Sequence, residues 1–238
     1  WWDATTCDAS ICGTSNECGG DGVLAILPGE ACGNCGGSYV CDGPNAVRCS
    51  DPCSDLYGCA DGEREAWTDA TSFPDIAGCS GGWSEKGILD TNPLCNRISG
   101  DDSPNPEGIG CSAADLCAEG WHICDSVAEF AASSPGGCDG DYPSNTFYAA
   151  AVSGPGSDEC NSDGTDDLFG CGSTGGGTDS SCDPLNRSSG DKCDDIPGQW
   201  DCPGTGIFGL NSDQEAEDVR KNGPGGGGVL CCRIQASP

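Results

Sequence analysis

The sequence predicts an α+β fold with short strands, few helices and much irregular loop, rich in disulfides. Three observations lead there. The first is cysteine, 22 of 238 residues and an even number. Thiols at that density persist in a folded protein only as crosslinks or metal ligands, and an oxidising exterior makes crosslinks of them. The second is poverty of apolar mass. Hydrophobic residues are 35% of the chain with cysteine included, Met is absent, and Trp, Phe and Tyr number 6, 5 and 4. Little apolar surface then offsets the chain entropy, whereas a disulfide closing ~15 residues is worth about 3 kcal/mol through the unfolded state. The third is 40 Gly and 15 Pro, which interrupt long regular elements.

Residues 1–54 read as a small cysteine-rich disulfide module. They hold Cys7, Cys12, Cys18, Cys32, Cys35, Cys41, Cys49 and Cys53, enough for a self-contained unit. Their one apolar run, Val23-Leu24-Ala25-Ile26-Leu27, predicts a strand ended by Pro28-Gly29. Cys32-Gly33-Asn34-Cys35 is the one C-x-x-C spacing, and the sole histidine, His122, is remote from it. Zinc wants two such pairs or nearby histidines, so Cys32 and Cys35 are read as disulfide cysteines. Asp51-Pro52-Cys53-Ser54 is a soft boundary, and 55–238 form a larger disulfide-stapled α+β domain.

In the larger region Ser112-Ala113-Ala114-Asp115 caps and opens a short helix through Leu116-Cys117-Ala118, closed by Gly120. Trp121-His122-Ile123-Cys124 follows as a strand. Asp125 to Ala132 predict a second helix, with Ser126 as cap and Glu129 at the capping-box position. Thr146 to Val152 and Gly228 to Ile234 predict two further strands, and Gly223-Pro224-Gly225-Gly226-Gly227-Gly228 a flexible loop before the last. Pro93 to Asp101 echo Pro184 to Asp191, which reads either as a duplicated half or as two similar turns. No stretch approaches 18 apolar residues, so membrane insertion is not expected. The opening Trp1-Trp2-Asp3 has no basic start and reads as a mature N-terminus left by processing.

Charge narrows the partners. Lys+Arg total 9 against 39 Asp+Glu, a formal net charge of −30. Nucleic-acid phosphates and anionic lipid would repel such a chain. The same excess of carboxylates suggests a cation. Asp158-Glu159-Cys160-Asn161-Ser162-Asp163-Gly164-Thr165-Asp166-Asp167 crowds acids and an amide around a glycine turn. Calcium takes six to eight oxygens at flexible spacing, so Asp158, Asn161, Asp163, Asp166 and Asp167 are its candidate ligands, the other reading being a solvated acidic loop. Asp139/Asp141, Asp101/Asp102 and Asp194/Asp195 are lesser candidates.

No catalytic set stands out. His122, beside Trp121 and Cys124, reads as a structural strand residue, and a His-based metal site is not expected without a second histidine. No Gly-x-Ser-x-Gly elbow occurs, and among 39 acids no pair is informative. Asn186-Arg187-Ser188 is a glycosylation sequon at Asn186. Trp67, Trp83, Trp121 and Trp200 are expected in the core, whereas Trp1-Trp2, ahead of the first cysteine, should dock on the chain or in a neighbouring molecule.

The pattern Ala113…Cys117…Gly120…Ile123…Glu129…Ala132, followed by an apolar last strand with cysteine, resembles the C-type-lectin-like fold. That resemblance implies a bond from the helix Cys117 to Cys231 or Cys232. The family's sugar-reading tripeptides, Glu-Pro-Asn or Gln-Pro-Asp and Trp-Asn-Asp, are absent. Gly58-Cys59-Ala60-Asp61-Gly62-Glu63-Arg64-Glu65, Ile76-Ala77-Gly78-Cys79-Ser80-Gly81-Gly82-Trp83, Gly120 to Cys124 and Gly227 to Arg233 together resemble a cysteine-rich module of secreted bacterial proteins of no established activity, over about 59 to 233. Gly29 to Gly36 resemble the stalk segments of such proteins.

Two functional classes follow. One is a secreted or cell-surface, non-enzymatic interaction module, disulfide-rigid and calcium-stabilised, binding a glycan or a protein. The other is a self-assembling subunit of an extracellular fibre or coat, with Trp1 and Trp2 as its inserted plug.

Overall fold

A computed structural model describes residues 15–32, 37–41, 43–50, 57–154, 167–178, 182–188, 193, 195–202 and 215–234. In chain order the elements are β1 (Ala31–Cys32), β2 (Gly37–Cys41), β3 (Val47–Ser50), β4 (Ile76–Ser80), a 3-10 turn (Ala113–Leu116), β5 (Trp121–Ile123), α1 (Val127–Ser133), β6 (Phe147–Gly154), β7 (Asp167–Gly172), β8 (Gly176–Thr178), β9 (Asn186–Arg187), β10 (Trp200–Asp201), α2 (Glu215–Asp218), β11 (Arg220–Lys221) and β12 (Gly227–Arg233). Strands dominate and helices are short, a disulfide-rich α+β protein.

β12 organises the larger sheet, whose order is β4-β12-β6-β7-β9-β8. It pairs antiparallel with β4 along one edge. Along the other it runs parallel to β6 and then antiparallel to β5. Side chains alternate across a strand, and here both faces are buried. Val229 and Cys231 join the cluster containing Trp83, Leu116, Trp121, Phe147 and Trp200. Leu230 and Cys232 join the opposite cluster with Trp67, Ile76, Phe130, Tyr148 and Phe169. The four tryptophans expected in the core are buried there.

Adjacent cysteines on such a strand cannot share a layer. Cys231 is bonded to Cys117, at the end of the 3-10 turn, and Cys232 to Cys124, just after β5. Each bond staples a different face of the sheet. Cys59–Cys79, Cys95–Cys111, Cys138–Cys171, Cys193–Cys202 and Cys18–Cys41 complete the pairs among the described residues, where no cysteine is free. The disulfides suit an oxidising compartment. No helix among the described residues is long and apolar enough to cross a membrane.

The glycine run before β12 is not simply a loop. Gly227 and Gly228 are buried strand residues. A Cβ on Gly228 would lie 2.0 Å from the Cys79 carbonyl oxygen, and one on Gly227 would lie 2.1 Å from that of Phe147. Their backbones approach neighbouring strands as only glycine allows.

The helix starts follow the sequence, with Ser112 and Ser126 at the caps, but the first helix is a 3-10 turn that stops at Leu116 instead of running through Ala118 to Gly120. The Ser126 hydroxyl accepts from the Glu129 amide at 3.2 Å, while the Glu129 carboxylate accepts from Asp125 N rather than from the cap residue. At the 3-10 turn the fully buried Asp115 accepts from Ser112 N and from the amides of Leu94, Cys95 and Arg97. One carboxylate thus fixes a loop some twenty residues away.

In the N-terminal region β2 is flanked by β1 and β3. Val23–Leu27 is not the expected strand, because both edges of β2 are already taken. Its backbone turns instead, Glu30 N donating to Leu27 O at 3.2 Å, and Ile26 enters a small core with Tyr39 and Val47. Ile98 of the larger region packs against that core.

Candidate functional site

Where the small sheet meets the larger region a cleft of about 660 Å³, its open mouth included, is lined by Ile26, Glu30, Tyr39, Asp61, Arg97, Ile98 and Asp102, among others. Junctions between structural units are common ligand sites. Cys18–Cys41 ties one wall. The other is anchored by Arg97, whose guanidinium donates to the carbonyls of Ala114 and Cys117. Glu30 and Asp102 are exposed at the mouth.

Asp61, in the cleft wall, forms a hydrogen-bonded carboxyl pair with Asp101, which does not itself line the cleft. Asp61 also accepts from Glu63 N at 3.3 Å and Asp102 N at 3.4 Å. Burial first, then the charge of Asp101, pushes the Asp61 carboxyl up to about 7. Asp101 is raised as well, by burial and then by Asp102, and its Oδ1 is buried with no partner among the described residues. Behind them Glu65 is pushed up to about 9 by burial and then by Asp61 and Asp101, while accepting from Ser80 N at 2.6 Å. The Ser80 hydroxyl meets the Tyr148 hydroxyl at 3.2 Å. The fully buried Lys221 donates to the carbonyls of Gly81 and Gly223 at 2.8 and 2.7 Å, and burial pushes its ammonium down to about 7.

A buried carboxyl pair that shares a proton both donates and accepts near neutral pH. It suits hydroxyl and amine ligands. It is closer than the roughly 5 Å that separates the carboxyls of retaining glycosidases, or the still wider gap of inverting ones. Its spacing therefore does not match the carboxyl arrangement of glycosidases.

Three groupings bring metal-type ligand atoms within 4.8 Å of one another among the described residues. Two have their sulfurs in disulfides, Cys95–Cys111 beside Asp115 and Cys193–Cys202 beside Glu215. Their carboxylates are already used by backbone amides, Asp115 as above and Glu215 by Leu168 and Cys193. The third is His122, Asp125 and Glu129, set aside in the sequence for want of a second histidine.

Of the calcium candidates, Asp158, Asn161, Asp163 and Asp166 lie outside the described residues, while Asp167 opens β7 and is buried. Asp141, a lesser candidate, instead ties down Thr68, accepting from its amide and hydroxyl. Asp194 is outside the described residues and Asp195 is exposed. Cys35, the Cys32 side chain, Trp1 and Trp2 also lie outside them. Asn186 sits in β9, and the hydroxyl of Ser188 in its sequon is buried against Glu215 at 2.8 Å. Asp61 and Glu65 carried no distinguishing signal among 39 acids. In the fold Gly100 passes close beside the Asp61 carboxyl, where a Cβ would lie 2.2 Å from Asp61 Oδ2.

No protein-family model and no solved structure matches this chain. Fold and site together define a disulfide-stapled α+β protein with an acidic cleft between its small sheet and its larger sheet.

Proposed function

We propose that the chain is a secreted or cell-surface, non-enzymatic interaction module that binds a glycan or protein segment in this cleft. The observation that carries it is the Asp61–Asp101 carboxyl pair beside the exposed Glu30 and Asp102, in a cleft with one wall tied by Cys18–Cys41 and the other anchored by Arg97. Hydroxyl-rich and amine-bearing ligands suit such a wall, while a chain of net charge −30 turns phosphates away. A C-type-lectin-like fold for the larger region belongs to the proposal, supported by the bond from Cys117 to the last strand. Calcium belongs to it too, through the acidic run from Asp158 to Asp167. Chelation should lower the melting temperature modestly, and Asp163→Ala should remove that sensitivity.

The test is a glycan array and a panel of basic peptides probed with the intact chain, with Glu30→Ala and with Asp102→Ala. Both positions are exposed, so the fold should survive. Binding that falls in both variants supports the cleft, and undiminished binding in both overturns it. Ordered polymers of the native material, seen by electron microscopy, would favour the self-assembling subunit instead.

A further inference from the structure

We propose that His122, Asp125 and Glu129 form a site for a borderline divalent transition-metal ion, of which Zn²⁺ is the type. It lies apart from both the cleft and the acidic run.

The strand alternation of β5 sets the site. Trp121 and Ile123 enter one core cluster, so His122 turns to the other side, opposite Cys232 in the register. The Cys124–Cys232 bond anchors the strand end immediately after it. The chain then enters α1, where the Ser126 cap fixes the first turn and returns Glu129 toward the imidazole. His122 Nε2 and Glu129 Oε1 are 2.9 Å apart, and Asp125 completes a set whose ligand atoms all lie within 4.8 Å of one another.

A tetrahedral ion with bonds of 2.0–2.1 Å holds its donors about 3.3 Å apart. The nitrogen–oxygen contact therefore needs to open by only a few tenths of an ångström. The other ring nitrogen, Nδ1, is buried without a partner among the described residues, so Nε2 is the nitrogen presented to the carboxylates. The proton shared between Nε2 and Glu129 is what the ion replaces. From the imidazolium it leaves to solvent, and Nδ1 keeps its own. The His122 and Glu129 side chains are 21% and 22% exposed and Asp125 is exposed, which leaves a way in for the ion and an open position for water. Imidazole nitrogen excludes calcium as the preferred ion, since calcium takes oxygen ligands.

The chain offers a clean assay because His122 is its only histidine. Zn²⁺ alone is titrated into the intact, untagged, disulfide-bonded protein while the imidazole ring protons are followed by NMR. A saturable shift complete near one equivalent is expected, with no such shift from Ca²⁺. Asp125→Asn and Glu129→Gln should each weaken Zn²⁺ at least tenfold, within the range seen when metal sites lose a supporting group. Asp125 is exposed, so its variant tests the site even if Glu129→Gln disturbs the helix cap. Three results overturn the proposal: no shift up to millimolar Zn²⁺, an equal response to Ca²⁺, or binding that neither variant weakens.

Discussion

A carboxyl group that keeps its proton at neutral pH ties stability to pH in a direction opposite to that of a salt-bridged acid. Glu65 is raised from its ordinary 4.5 to about 9, and Asp61 from 3.8 to about 7. Folding therefore takes up protons between those values, and the stabilising contribution is whole below about pH 4. It is lost as pH rises through about 7 for Asp61 and about 9 for Glu65. Lys221, lowered from 10.5 to about 7, runs the other way and gains stability with rising pH across that interval. Comparing variants separates the two. Glu65→Gln keeps an acceptor for Ser80 N and removes the titration, so its urea midpoint should fall less than the parent's between pH 4.5 and 9. Equal pH slopes would refute the protonated Glu65. Nothing in the sequence marks this residue. Its environment is assembled from Ser80, Asp61 and Asp101, which only folding brings together. Asp115 is a second such case, needing loop residues 94–97 to give its burial a reason. Asp115→Ala leaves those amides buried and unpaired, and should cost about 3 kcal/mol or more by denaturant unfolding. A change under 1 kcal/mol would show that water replaces the carboxylate at no penalty.

Elements whose signals are local were legible. Ser126 and Glu129 mark the start of α1 because a cap is satisfied within one turn. Thr146–Val152 and Gly228–Ile234 were expected as strands, and β6 and β12 stand at those places within a residue or two. β4 and β7 were missed. Ile-Ala-Gly-Cys-Ser and Asp-Leu-Phe-Gly-Cys-Gly lack the branched, alternating pattern of a half-exposed strand, since both are buried on each face. Val23–Leu27 misled in the opposite sense, apolar yet without a strand to pair with. The glycine run shows the same dependence on neighbours. Gly225 is exposed, with the Gln199 side chain its nearest contact at 3.4 Å, whereas Gly228 lies against the Cys79 carbonyl. Gly228→Ala should therefore destabilise by about 3 kcal/mol or more, as overpacking of a filled interior does. Gly225→Ala should change the urea midpoint little. Similar effects at the two positions would mean that β12 yields to accommodate a methyl group.

At the scale of the whole molecule, the two bonds on β12 close nearly the same loop, Cys117–Cys231 over 114 residues and Cys124–Cys232 over 108. The sequence resemblance left Cys231 and Cys232 both open as partners of Cys117. Alternation across a doubly buried strand is what separates them, and that burial is a property of the assembled sheet. Their energetics are separable by experiment. A lone loop of ~100 residues is worth about 4.7 kcal/mol of unfolded-state entropy. With one bond in place, the other adds only a ring of a few residues, worth roughly 2.5 kcal/mol. Converting either pair to alanine should thus cost roughly 2.5 kcal/mol beyond the lost packing. Converting both should cost roughly 7 kcal/mol beyond it, since the long loop then opens. The quadruple variant should exceed the sum of the two pair variants by about 2 kcal/mol in urea unfolding, and against a typical 5–15 kcal/mol of total stability it should be close to unfolded. Simple additivity of the two decrements would show that these bonds act through native packing on their separate faces rather than by restricting the unfolded chain.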